Sequence, residues 1–149
     1  MSLENTINQD IKTAMLAKQE VSLRALRAIK SALLIAKTEK GASEVLSDEA
    51  GIKVLQKLIK QRKESADIYK TQNRPDLYQI ETDEADVIEK YLPQQLSATE
   101  VHSAILKIVQ DLNITSVKEM GKVMAVANKE MAGKADGKAI SEAIKAILA

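Results

Sequence analysis

QRKESADIYKTQNRPDL, residues 61–77, is the stretch from which the fold is read. Arg62, Ser65 and Tyr69 fall three and then four residues apart, so they share one helical face. Arg74-Pro75 then interrupts. A residue before proline is pushed out of the α region, and proline is tolerated at a first helical position. One helix therefore ends near Gln72 and another begins at Pro75. A face that carries a guanidinium, a hydroxyl and a phenol admits two readings. One is a half-buried polar network that fixes the helix–helix corner, the usual role of side-chain networks. The other is that Arg62 and Arg74 hold guanidinium groups out to a phosphate or carboxylate partner.

Helical signals continue on both sides of this corner. Upstream, Ser2 can cap a helix on which Leu3, Ile7, Ile11 and Met15 (or Ala14) recur. A second helix starts near Glu20 or Val21, carries Leu23, Leu26, Ile29 and Leu33 as its stripe, and stops at Gly41. Arg24, Arg27 and Lys30 run beside those leucines as a cationic row. Such rows are commonly solvated flanks whose stems cover the core edge. Ser47 caps a third helix, with Asp48 and Glu49 where the helix dipole favours acids. Downstream, the helix from Pro75 carries Leu77, Ile80, Val87, Ile88 and Tyr91. It also carries Glu81, Asp83, Glu84, Asp86 and Glu89, read as a polar face towards the basic helices. Their spacing does not suit a metal loop: no EF-hand glycine is present.

Pro93 blocks further helix, so residues 91–96 are the candidate linker. Two lobes follow, 1–93 with about four helices and 94–149 with three. Residues 97–100 (SATE) and 116–119 (SVKE) read as capping boxes, starting helices near 98 and 117. Val101, Ile105, Ile108, Val109 and Leu112 line the first. Val117, Met120, Val123, Met124, Ala127 and Met131 line the second, with the methionines as core filler. Gly133 can end it. Asp136 can cap a last helix with Ile140, Ile144, Ile147 and Leu148 on one side. No run alternates as a strand would. The fold class is all-α.

Composition narrows the chemistry. The 149 residues include no cysteine, so there is no disulfide, no thiolate nucleophile and no thiolate zinc site. That suits a reducing interior, and the expected location is the cytoplasm. No apolar run approaches the roughly 20 residues of a membrane helix, so no membrane partner is expected. The opening MSLENTINQD has no basic or apolar region of a secretory signal. Phe and Trp are absent and Tyr occurs three times, which leaves almost no platform for stacking nucleic-acid bases. The net charge of +1 conceals an uneven layout. Residues 1–63 hold 12 Lys and Arg against 7 Asp and Glu, residues 64–96 hold 3 against 8, and residues 97–149 hold 7 against 6. The basic and acidic blocks can complement each other inside the fold, or expose a basic surface to an anionic partner.

No reactive constellation emerges. His102 is the single histidine and has no cysteine to join it at a metal. No nucleophile elbow, dinucleotide fingerprint or GxxxxGK[ST] loop is present. Gly133-Lys134-Ala135-Asp136-Gly137-Lys138 precedes a helix and can be read either as a plain connection or as a phosphate cradle of backbone amides.

LRALRAIKSAL (23–33), LIKQRKESADIY (58–69), RPDL (74–77), Glu81, YLPQQLS (91–97), MGKVM (120–124) and GKADGKAI (133–140) resemble the GatB/YqeY family. They come in the family's order over nearly the whole chain, in the stand-alone YqeY-like form. The resemblance implies an all-α fold with an N-terminal helical lobe and a C-terminal three-helix lobe. It also implies kinship with the C-terminal module of the B subunit of the glutamine-dependent Asp/Glu-tRNA amidotransferase, where the corresponding tail helps to hold tRNA. The family's activity label is carbon–nitrogen ligase with glutamine as amido-N-donor. The catalytic cradle of that subunit has no counterpart here, and Asp136-Gly137 stands where that subunit usually shows Asn-Pro.

Two functions follow as expectations. In the first the chain is a tRNA-binding accessory module, not catalytic alone, with Lys118, Lys122, Lys129, Lys134 and Lys138 on the phosphates. Lys118, Lys122 and Lys129 lie close to one helical face. In the second it is a scaffold docking amidotransferase components or another protein on its N-terminal lobe, through Arg24, Arg27, Lys30, Arg62 and Arg74. No catalytic residue, metal ligand or cofactor is expected, and the oligomeric state is left open. The enzymatic reading rests on the family label alone.

Overall fold

The computed structural model describes residues 2–39, 41 and 46–149. Among them are seven α-helices and no strand. Ser2 opens α1 (Leu3–Leu16), its hydroxyl accepting from the Asn5 N–H at 3.2 Å. After α2 (Glu20–Glu39), Ser47 opens α3 (Asp48–Thr71) in the same way, accepting from the Ala50 N–H at 3.2 Å. Proline occupies the first position of α4 (Pro75–Glu89). Ser97 and Glu100 form a complete capping box at α5 (Ala98–Asp111). After α6 (Met120–Glu130), Asp136 caps α7 (Gly137–Leu148), accepting from the Ala139 N–H at 2.7 Å. Each cap satisfies an amide that a helix start would otherwise leave unpaired.

One expected start differs. The Ser116 hydroxyl accepts from the Lys118 N–H at 3.2 Å, and Val117–Glu119 form a single 3-10 turn. Glu119 does not reach back to complete a box: its carboxylate lies 3.9 Å from Lys122, so α6 begins at Met120.

Three helix ends close alike. Lys18, Asn73 and Asn113 adopt left-handed φ of 56°, 57° and 54°. The following amides turn back: Gln19 N–H to the Ala14 carbonyl at 3.0 Å, Arg74 to Tyr69 at 2.8 Å, Ile114 to Val109 at 3.0 Å. This is the Schellman pattern, which satisfies the last carbonyls of a helix. Asparagine tolerates this conformation; lysine adopts it at a cost of roughly 1–2 kcal/mol.

The chain divides into two compact units, Met1–Leu92 and Pro93–Ala149. In the first, α3 packs along α4, α1 along α2, and α2 also touches α3 and α4. Its core is aliphatic: Ile7, Ala14, Leu26, Ile29, Leu33, Leu55, Ile59 and Ile88 are all buried. Ala14, not Met15, continues the α1 stripe, because a three-residue step corrects the drift of two four-residue steps. Met15 is 52% exposed. Near the start of α3, Gly51 lets Leu3 approach so closely that an added Cβ would stand 3.0 Å from Leu3 Cδ2.

In the second unit α5, α6 and α7 pack pairwise. Val101, Ile105, Ile108, Val123, Ala127, Met131, Ile140 and Ile144 are buried, with Met120 and Met124 packed at their margin. Burying each large aliphatic side chain contributes about 1.5–3 kcal/mol. No described helix is long and apolar enough to cross a membrane.

Candidate functional site

Positive charge is handled differently along the chain. On α4, Glu84 receives two arginines at once. Arg24 Nε of α2 donates to Glu84 Oε1 at 2.9 Å, and Arg62 Nε of α3 donates to Oε2 at 3.2 Å. The side chains of Arg62 and Glu84 are 15% and 12% exposed. Arg62 Nη1 also donates to the Leu58 carbonyl at 3.4 Å. Lys63 meets Glu89 at 2.9 Å, and Lys37 meets Glu4 at 3.6 Å. The acid-rich face of α4 thus meets cations of α2 and α3, and Arg62 belongs to a network that ties α2, α3 and α4 together rather than to one at the Asn73 corner.

Arg74 grips Asp76 with two bonds of 3.2 and 3.0 Å. That bond raises the Arg74 pKa and lowers the Asp76 pKa from their ordinary values. Arg27 and Lys30 are exposed and have no acid within ion-pair distance among the described residues. The five expected partner-binding cations therefore divide into three that are paired and two that are not. Tyr91, just past α4, donates its hydroxyl to Asp10 Oδ2 of α1 at 2.5 Å. Burial first, then that bond, raises its pKa well above 10.0.

In the second unit Lys118, Lys122, Lys129, Lys134 and Lys138 are all exposed. One has an acid partner among the described residues: Lys122, at 3.9 Å from Glu119, with the two side chains 73% and 39% exposed. Lys122 and Lys129 lie seven residues apart on one face of α6. Lys134 and Lys138 flank the entry to α7.

The loop between α6 and α7 is held from outside. Gly133, with φ 76°, is buried, and its carbonyl accepts from Gln95 Nε2 at 2.7 Å. The same amide donates to the Pro93 carbonyl at 2.8 Å. The Leu96 N–H donates to the Lys134 carbonyl at 2.8 Å. Residues read as a linker therefore clamp the glycine loop. The Asp136 carboxylate already accepts from the Ala139 N–H at the α7 N-terminus, which favours the reading of the loop as a plain connection. Among the described residues no three or more His, Asp and Glu side chains converge as a metal ion would require.

These observations define a small all-α protein of two helical units, with exposed lysines on the second. Residues 4–148 match the family model described as Yqey-like protein, and the chain belongs to that family. It is also similar to proteins named "Altered inheritance of mitochondria protein 41, mitochondrial" from three yeasts. The Meyerozyma guilliermondii protein is 39% identical over 88 residues, 59% of this chain and 45% of that protein. The Clavispora lusitaniae protein is 34% identical over 91 residues, 61% and 52% of the two chains. The Saccharomyces cerevisiae protein is 32% identical over 136 residues, 88% and 69% of the two chains. The match thus spans about half the length of the first two relatives.

Those names overturn the expectation of a cytoplasmic protein, since each relative is named as mitochondrial. The expectation rested on absent cysteine and absent apolar spans. Both features report redox chemistry and membrane insertion, whereas an organelle address is read from targeting residues. Neither feature discriminates one interior compartment from another.

Proposed function

We propose that the chain is an accessory module that holds tRNA through its second unit, in the manner of the related amidotransferase tail, and is not catalytic alone. The carrying observation is that Lys118, Lys122, Lys129, Lys134 and Lys138 are exposed while, among the described residues, one of them has an acid partner, at 3.9 Å. An ion pair that long and that exposed contributes almost nothing and yields readily to a phosphate. The three tyrosines lie at 69, 78 and 91, so the second unit has no Phe, Trp or Tyr on which to stack a base. Recognition then runs through the RNA backbone and its shape. The relatives' names support a mitochondrial setting for this work.

The test is a fluorescence anisotropy titration of tRNA with the full chain at low salt and at fourfold higher salt. Three to five phosphate contacts predict an affinity loss of about 10- to 1000-fold between the two. Replacing Lys122→Glu and Lys134→Glu together weakens low-salt binding by at least about tenfold. No binding at low salt ends the proposal.

A further inference from the structure

The seam between α1 and α2 holds a groove of about 90 Å³. Ile7, Leu33 and Leu34 form its apolar lining, and Glu4, Lys30 and Lys37 stand around it. The volume suits one aliphatic side chain, being smaller than the roughly 150 Å³ of a cavity that admits benzene. Leu34 is 62% exposed. Arg27, Lys30, Leu34 and Lys37 follow one another at three- and four-residue steps, so they form a single strip along α2. Lys37 is occupied by Glu4, the one acid lining the groove, at 3.6 Å. Arg27 and Lys30 have no acid partner among the described residues.

We infer that this seam docks an acidic amphipathic helix from a partner protein. One aliphatic side chain of the partner enters the groove over Ile7, Leu33 and Leu34. Its flanking carboxylates meet Arg27 and Lys30. An apolar slot beside a row of cations is the complement of such a helix. The slot favours such a helix over nucleic acid, because a phosphate backbone would use the cations alone and leave the apolar slot unfilled.

The probe is a synthetic 16-residue helical peptide with leucines at i, i+3, i+4 and i+7 and glutamates flanking them. It is titrated into the isotope-labelled full chain and followed by amide chemical shifts. Shifts are expected at Lys30, Leu33, Leu34 and Lys37. The same peptide with lysines in place of glutamates binds about tenfold more weakly. Lys30→Glu and Leu34→Ser each lower the affinity several-fold while the circular dichroism melt stays in place, since both residues are exposed. Lys30→Glu also narrows the preference for the acidic peptide. Equal binding of the two peptides, shifts confined to other helices, or no shift at millimolar peptide overturns the inference. So does sedimentation showing that a second copy of the chain occupies the seam, or the same shifts produced by tRNA.

Discussion

Arg62 is 15% exposed and its guanidinium reaches Glu84, on a different helix, at 3.2 Å. Lys122 is 73% exposed and its acid partner, Glu119, sits three residues back at 3.9 Å. The two cations represent their units. Between Met1 and Leu92 four described ion pairs join separate helices, α2 to α4, α3 to α4 twice and α1 to α2, and one, Arg74 with Asp76, is local. Between Pro93 and Ala149 the described ion pair is local and loose. The second unit closes around ten buried residues, all apolar, and its described ion pair joins no two α-helices. Its lysines are exposed and, apart from Lys122, have no acid partner among the described residues, whereas most of the first unit's arginines are already engaged. Exposure and geometry separate structural cations from available ones; residue type does not.

The largest effect that can test this contrast is at Glu84. Replacing Glu84→Ala strands Arg62 at a half-closed position and loses two charge-assisted hydrogen bonds. Such bonds are worth about 1.5–3 kcal/mol each when shielded; with Arg24 half in solvent, the combined loss should be about 2–3 kcal/mol. For a unit of this size the melting temperature falls on the order of 10 °C. Thermal denaturation measures it, and affinity for tRNA at low salt should not change. A loss below about 0.5 kcal/mol would show that the arginines are ordinary solvated cations, and the contrast between the units would collapse.

Much of this frame is legible in the chain itself. Ser2, Ser47, Ser97 and Asp136 announce helix starts because a short oxygen-bearing side chain can accept from an amide three residues on. Pro75 announces the corner. The partner of Arg62 is not legible. Glu81, Asp83, Glu84, Asp86 and Glu89 look alike in sequence, and only packing selects Glu84 for two arginines and Glu89 for Lys63. Gln95 is hidden for a different reason. An uncharged amide in a turn carries no periodic signal, yet its two donors hold Pro93 and Gly133 together. Ser116 misleads because its spacing to Glu119 fits a capping box, while Glu119 lies forward beside Lys122.

A middle-sized effect tests whether the first unit's polar contacts are structural beyond the arginines. Tyr91→Phe removes the bond to Asp10 and should cost about 1 kcal/mol at neutral pH. Its pH dependence has a definite sign. The folded-state pKa of Tyr91 is raised above its ordinary value of 10.0, because burial and Asp10 disfavour the phenolate. The contribution is therefore complete below about pH 10 and is lost as the pH rises towards the folded value. Urea midpoints at neutral pH and at about pH 11 should fall more for the unsubstituted chain than for Tyr91→Phe. Equal falls would mean that Tyr91 ionises in the fold as it does in water.

The smallest effect is the most discriminating. Lys122→Glu with Lys134→Glu places two acids on a unit whose core is wholly apolar. Lys122 has a distant, exposed acid neighbour, and Lys134 is tied to the fold by its backbone: its carbonyl accepts from Leu96 and its N–H donates to Met131. Neither side chain crosses to another helix in any described ion pair or hydrogen bond. The stability change should stay within about 0.5 kcal/mol, the range for surface substitutions. A larger loss in thermal denaturation would mean that these ammonium groups already serve the fold, and a lysine engaged in that way is not available to an RNA phosphate. An unchanged melt together with lost tRNA binding is the one combination that assigns the charge of the two units to two different tasks.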